Sequence, residues 1–241
     1  MGPTRFVWCV CTVTVIAIAG CSGSDPGATS EASVADTGGP LSVYVVNYPL
    51  QYFAQRVGGT AVRVSLPVPA DADPALWKPG PEQIAAYQAA DLILLNGASY
   101  AKWVGRASLP ASRTVDTSAS FADRLIRSPG VVTHRHGEQG VHDHGEVAFA
   151  TWLDPLQAIA QARTVRDALA RLRPENAREF NEHFESLEAD LLALDAQLAS
   201  AAATLGSKQE CLLDFDPCAN TPETGDYMTV MTENLRRLRE R

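Results

Sequence analysis

The run Asp91-Leu-Ile-Leu-Leu-Asn96 constrains the fold more than any other part of this chain. It is apolar throughout its interior, with no polar residue at alternate positions. A strand of that kind has no face to offer water, so both faces must be covered. An antiparallel strand with one wet face would alternate; an unbroken run points to a parallel sheet with helices packed over it. The preceding segments agree. Leu41-Ser-Val-Tyr-Val-Val-Asn47 and Ala61-Val-Arg-Val-Ser-Leu66 are rich in β-branched residues and read as strands. Between them Leu50–Val57 carries apolar residues at helical spacing, after a Tyr48-Pro49 break and before Gly58-Gly59. Residues 67–81 hold five prolines and form a loop, and Pro81–Ala90 is a short helix with proline at its start. A β-α-β-α-β order is that of a parallel α/β sheet. Thr114-Val115-Asp116 is a candidate fourth strand.

Further on the pattern is helical. Asp154 is a good N-cap, Pro155 fits the first turn and Gln157 sits where a capping-box partner would. Leu156, Ile159, Val165, Leu169 and Leu172 supply an apolar face. Pro174 interrupts the pattern, which resumes to about Ala203 with Phe180, Phe184, Leu187, Leu191, Leu194 and Leu198 in steps of 4, 3, 4, 3 and 4. So regular a stripe is core packing. The expectation is one long kinked helix over 153–205. After Gly206 the texture changes. Residues 210–215 read as a strand, 216–225 as turns, and Tyr227–Arg241 as a helix whose basic C-terminal end suits the macrodipole.

The N-terminus is a targeting segment. Arg5 gives a positive start, and Phe6–Ala19 is an apolar run of 14 residues, short of the roughly 20 that span a bilayer. It ends in Ile18-Ala19-Gly20-Cys21, which resembles a bacterial lipobox with Cys21 as the lipidated residue; the alternative is an ordinary signal peptide with an incidental cysteine. Residues 22–40 have almost nothing apolar to bury and read as a flexible tether. Of 241 residues, removal of the first 20 leaves 221, enough for one or two compact domains. The net charge of −8 argues against a nucleic-acid partner. Cys211 and Cys218 remain in the mature chain, where an oxidising compartment would permit a disulfide if their Cα atoms approach closely enough.

Four of the five histidines fall in one eleven-residue window, His134, His136, His142 and His144, with Glu138, Asp143 and Glu146 nearby. The window lies in the glycine-rich loop 128–146. On unconstrained backbone four imidazoles can converge on a borderline cation such as Zn²⁺. The bland alternative is a solvated polar loop that binds nothing. His183, between Glu182 and Glu185, reads as a surface residue. There is no nucleophile elbow, no His-Glu-x-x-His helix and no phosphate loop, so an enzyme is not expected.

Six phrases in order carry a family resemblance: Tyr48-Pro-Leu50, Val57-Gly-Gly59, Pro69-Ala-Asp-Ala-Asp-Pro74, Ala90-Asp-Leu-Ile-Leu-Leu-Asn-Gly97, Trp152-Leu-Asp-Pro155 and Pro174-Glu-Asn-Ala177. From about Leu41 to Ser200 the chain resembles the solute-binding lipoproteins of zinc and manganese ABC transporters. That resemblance implies two α/β lobes joined by a long rigid helix, with a metal held in the cleft by three histidines and a carboxylate or water. The first family histidine falls on Ala75, with Lys78 where the family often has an acid, and the second falls on Ala150. No phrase after Gly206 matches the second lobe; Asp214 and Asp216 are possible carboxylates there.

The implied architecture is an α/β, parallel-sheet lobe covered by helices, joined to a long backbone helix, with the second lobe truncated or reduced. Its expected divisions are a signal peptide over 1–20, a tether over 21–40, an N-terminal lobe over 41–152, a linking helix over 153–205 and a short C-terminal segment over 206–241. The implied function is that of an extracytoplasmic, lipid-anchored, monomeric solute-binding protein. It would capture zinc or another divalent metal through His134, His136, His142 and His144, with an ABC permease and the membrane as partners. The alternative is a degenerate or truncated member, lacking the cleft site, that serves as an interaction module or low-affinity metal collector.

Overall fold

A computed structural model of the protein describes residues 39–126, 147–205 and 215–240. The four β-branched or apolar runs form one parallel sheet: β1 (Leu41–Val45), β2 (Val62–Ser65), β3 (Leu92–Leu95) and β4 (Thr114–Asp116), in the order β2-β1-β3-β4. The register sets Val43 between Val64 and Leu92, an apolar row across three strands, and Tyr44 between Ser65 and Ile93. Val43, Val45, Ile93 and Leu94 have no exposed surface. Burying each contributes about 2 kcal/mol. The unbroken run at Leu92–Leu95 is therefore central, as its lack of alternation demands.

Helices α1 (Tyr48–Gly58) and α2 (Pro81–Ala89) are the crossovers from β1 to β2 and from β2 to β3. These crossovers run in opposite directions along the sheet, so the right-handed rule puts them on opposite faces. α1 begins two residues earlier than residues 50–57 suggest on their own. The Asn47 side chain accepts a hydrogen bond from the Leu50 amide, and Pro49 sits in the first turn, where its missing N–H costs nothing. Tyr48-Pro49 is thus a helix start rather than a break. At the other end Gly59 adopts φ 53°, and a Cβ there would lie 3.0 Å from the His183 ring.

The expected kinked helix over 153–205 is two helices, α3 (Pro155–Leu172) and α4 (Ala177–Leu205), with a 3₁₀ turn at Pro174–Asn176. They run antiparallel. Arg163 reaches Glu188 at 2.7 Å, while Arg166, one turn later, reaches back to Asn181 at 3.1 Å. Pro174 therefore reverses the chain rather than bending it. The long backbone helix is α4 alone, 29 residues or about 43 Å. Its stripe is buried from Phe180 to Leu194, and Leu198 packs against the same core. The stripe on α3 is narrower than its sequence suggests: Ile159, Val165 and Leu169 are buried, but Leu156 and Leu172 lie at its exposed ends. Asp154 caps α3 through the Leu156 and Gln157 amides, and the Gln157 side chain donates to the Asp154 carboxylate at 2.9 Å.

The described part of the C-terminal segment is neither a frayed tail nor a second sheet. Helix α5 (Tyr227–Arg239) is capped by Asp226 and adds Tyr227, Val230, Met231, Leu235 and Leu238 to the one core. The Tyr227 ring meets Tyr52 and Phe53 of α1 with centroids 5.4 and 5.3 Å apart. Among the described residues all four strands belong to the first lobe. The expected strand at 210–215 lies almost wholly outside the described residues.

Candidate functional site

In a sheet of order β2-β1-β3-β4 the strand connections diverge between β1 and β3. Ligand crevices of open α/β sheets form outside the carboxyl ends of the strands at such a point. Two asparagines mark it. Asn47 follows β1 and Asn96 follows β3; both are buried, and Asn47 Nδ2 donates to Asn96 Oδ1 at 3.1 Å. The same oxygen accepts from Gln161 Nε2 of α3 at 3.2 Å and from the Thr151 hydroxyl at 3.4 Å. Asn96 Nδ2 donates to the Phe149 carbonyl at 2.9 Å. Gln161 also donates to Thr117, whose hydroxyl donates to the Leu95 carbonyl. This network fastens residues 149–151 to the edge of the sheet. Directly after Asn96 the chain turns through Gly97, Ala98 and Ser99, all with positive φ. A Cβ at Gly97 would lie 1.9 Å from Ser118 Oγ, so glycine is required there.

A cleft of about 900 Å³ opens above this network. One wall is the loop end Ala72-Asp73-Pro74, and a second is Phe149, Ala150, Trp152 and Tyr100. Tyr100 packs edge-on against Phe149 and Trp152, each 5.4 Å between centroids. The far wall is Asp216–Thr224 with one face of α5. That wall is tied down at several points. Asn220 Nδ2 donates to the carbonyls of Pro69, Ala70 and Ala72. Trp152 Nε1 donates to the Pro217 carbonyl at 2.6 Å, and the Tyr227 hydroxyl to the Trp152 carbonyl at 2.6 Å. The Tyr48 amide donates to the Ala219 carbonyl at 2.9 Å.

Among the described residues the cleft is lined by carboxylates and by no imidazole. Asp73 Oδ1 accepts from the Ala75 amide, and Asp216 Oδ1 from the Cys218 amide. Hydrogen bonds from Arg236 and Arg237 lower the Glu233 pKa to about 2, so this carboxylate is already committed to two guanidinium groups. Burial, with Asp73 nearby, raises the Tyr100 hydroxyl well above its ordinary value. Burial, with Asp216 and Asp226 nearby, pushes the Cys218 thiol up to about 12. Both groups stay protonated, and neither suits metal ligation at neutral pH.

The two alanines that the resemblance aligns with ligands line different concavities. Ala150 faces the cleft, whereas Ala75 is buried beside Trp77 and Trp103 in a separate groove. Among the described residues no three His, Cys, Asp or Glu side chains are grouped to hold a metal. His134, His136, His142, His144 and Cys21 lie outside the described residues, as do Cys211 and Asp214. His183 is not a plain surface residue. It is half-buried, and its Nδ1 lies 3.1 Å from the Val57 carbonyl at the end of α1, so its role is to close that helix. Composition did not single out Asn47, Asn96, Gln161 or Asn220. The available signal was positional: each of the first two ends an apolar run.

A sequence profile of the periplasmic zinc-uptake complex component A matches residues 43–213. The zinc-binding lipoprotein AdcA of Streptococcus pneumoniae is 27% identical over 177 residues, covering 70% of this chain and 34% of AdcA. The high-affinity zinc uptake system protein ZnuA of Bacillus subtilis is 26% identical over 195 residues, covering 80% of this chain and 60% of ZnuA. The crystal structure of Zn(II)-bound AdcA from S. pneumoniae has the same fold, with a TM-score of 0.64 at 18% identity over 84% of this chain and 57% of that one. The chain thus spans between a third and three-fifths of the length of these relatives.

Proposed function

The chain belongs to the periplasmic zinc-uptake component A family, and from that premise we propose that it is the lipid-anchored, extracytoplasmic binding component of a divalent-metal ABC importer. The observation that carries this reading is the family match over residues 43–213, the stretch that builds nearly all of the sheet, the long helix and two walls of the cleft. In this reading zinc is cargo, captured outside the membrane and passed to a permease. The chain binds and releases; it catalyses no reaction. Cys21 holds the protein at the bilayer.

The metal contact in this reading falls on His134, His136, His142 and His144. Three observations favour them over the cleft. Ala150 offers a methyl group where a ligand is expected, Ala75 faces another groove, and the cleft carboxylates of Asp73, Asp216 and Glu233 are hydrogen-bonded to amides or arginines. His183, the remaining histidine, is bonded to the Val57 carbonyl. Neutral imidazole nitrogens suit Zn²⁺. Ordering an eleven-residue window costs entropy, so the affinity is expected to be modest. Imidazoles titrating near 6.5 must lose their protons to bind. Zinc affinity is therefore expected to fall at least tenfold between pH 7.5 and pH 5.5 in calorimetric titration of the chain from Ser22. Equal affinity at the two pH values would exclude imidazole ligation.

A further inference from the structure

A second groove, of about 380 Å³, lies apart from the cleft. It is built from the loop after Ala75 and the segment Lys102–Ala107, which belong to the connections leaving the carboxyl ends of β2 and β3. Trp77 and Trp103 meet edge to face in it, 6.4 Å between centroids. Beside them Leu76 is 69% exposed, the most exposed large apolar side chain among the described residues. Lys78, Lys102 and Arg106 line the same groove; all three are exposed, and among the described residues no carboxylate lines it. None of the three is ion-paired with a described residue. The whole chain has only three lysines and a net charge of −8, so two lysines and an arginine here make a positive island on an acidic protein.

The groove combines two requirements that separate ligands would meet only in part. A free anion would use the cations and leave Leu76 in water. An apolar partner would cover Leu76 and desolvate the cations. The headgroup layer of an anionic bilayer accommodates both. Tryptophan rings and basic side chains sit favourably at that depth, and lysine and arginine stems reach across apolar surface with their charges at phosphate level. Each cation near an anionic surface raises affinity about fivefold.

We propose that this groove docks on an anionic phospholipid surface, with Leu76 and the Trp77 edge entering the headgroup layer and Lys78, Lys102 and Arg106 meeting phosphates. It rests on the anchored reading only for the presence of a bilayer.

Unlipidated chain from Ser22 is the material for the test. It retains the compact unit Gly38–Arg241 whole. It is floated with vesicles of phosphatidylglycerol and phosphatidylcholine, and with vesicles of phosphatidylcholine alone. Binding to the anionic vesicles is expected to be at least tenfold tighter and to weaken as salt is added. A chain carrying Lys78→Glu, Lys102→Glu and Arg106→Glu is expected to lose at least tenfold on anionic vesicles. Leu76→Ser alone is expected to weaken binding severalfold while leaving its salt dependence in place. Equal binding to both vesicle types overturns the proposal, as does undiminished binding by the triple variant. So does a triple variant that floats normally but fails to deliver metal in cells, which would point to an acidic protein partner. Zinc titration of the triple variant is expected to be unchanged, so failure here and failure of the metal reading remain separable.

Discussion

At the scale of single residues, Asn96 supports the site without belonging to its surface. Its amide is bonded to Asn47 at the start of α1, to Gln161 of α3, to Thr151 and to the Phe149 carbonyl. Truncation strands buried donors and an acceptor that have no water to turn to. Asn96→Ala is expected to destabilise the fold by about 3 kcal/mol in urea unfolding. A loss below about 1 kcal/mol would mean that the network carries little. Cys218 gives a second residue-level test. Burial raises its thiol pKa to about 12, so near neutral pH very little of the reactive thiolate is present. In the chain from Ser22 carrying Cys211→Ser, reduced native protein at pH 8 is expected to label with iodoacetamide at under a tenth of the rate of urea-unfolded protein. Equal rates would show that the Cys218 environment opens readily. These roles were poorly legible in the sequence, because a buried amide looks like any other asparagine until its partners are known. Asn47 and Gln161 are 114 positions apart yet share one oxygen. His183 was misjudged for the same reason: its partner, Val57, lies 126 positions away.

At the scale of elements the reading was closer, because strands and helices are written in local periodicity. The burial of β3 followed from its missing alternation, and the inner face of α4 from its stripe. The junction at Pro174 did not follow. A proline forbids continuation of a helix, but it does not say by what angle the chain departs. The packing of Arg166 on the Phe184 ring at 4.8 Å and its bond to Asn181 fix the reversal, and both are tertiary. Leu156 is similar: helical spacing put it on the apolar face, but its side chain is left exposed while its neighbour Pro155 is buried. The clearest element-level prediction concerns α5. Its Tyr227 hydroxyl is wholly buried and donates to the Trp152 carbonyl, which binds the C-terminal segment to the 3₁₀ turn Thr151–Leu153. Tyr227→Phe is expected to cost about 1–3 kcal/mol and to raise amide exchange in Thr151–Leu153. Stability and exchange unchanged from the parent would show that α5 is held by apolar packing alone.

At the scale of the molecule, the chain keeps the parallel sheet and long helix of its family, while the resemblance sets Ala75 and Ala150 where first-lobe histidine ligands are expected. The parallel sheet and the long helix were legible because they are repeated local patterns. The resemblance also located Ala75 and Ala150. It did not reveal that these two residues face different concavities, nor that residues 216–240 would close one wall of the cleft. Those facts depend on how a turn-rich segment folds back across the first lobe, which no periodicity encodes. The central claim is that metal capture has moved from the cleft to the histidine-rich loop. Its most direct test is zinc calorimetry at pH 7.5 on the chain from Ser22, beside a variant with His134, His136, His142 and His144 all changed to Ala. Binding in the parent and its loss in the variant is the predicted result; equal binding in the two would put the metal elsewhere and contradict the account.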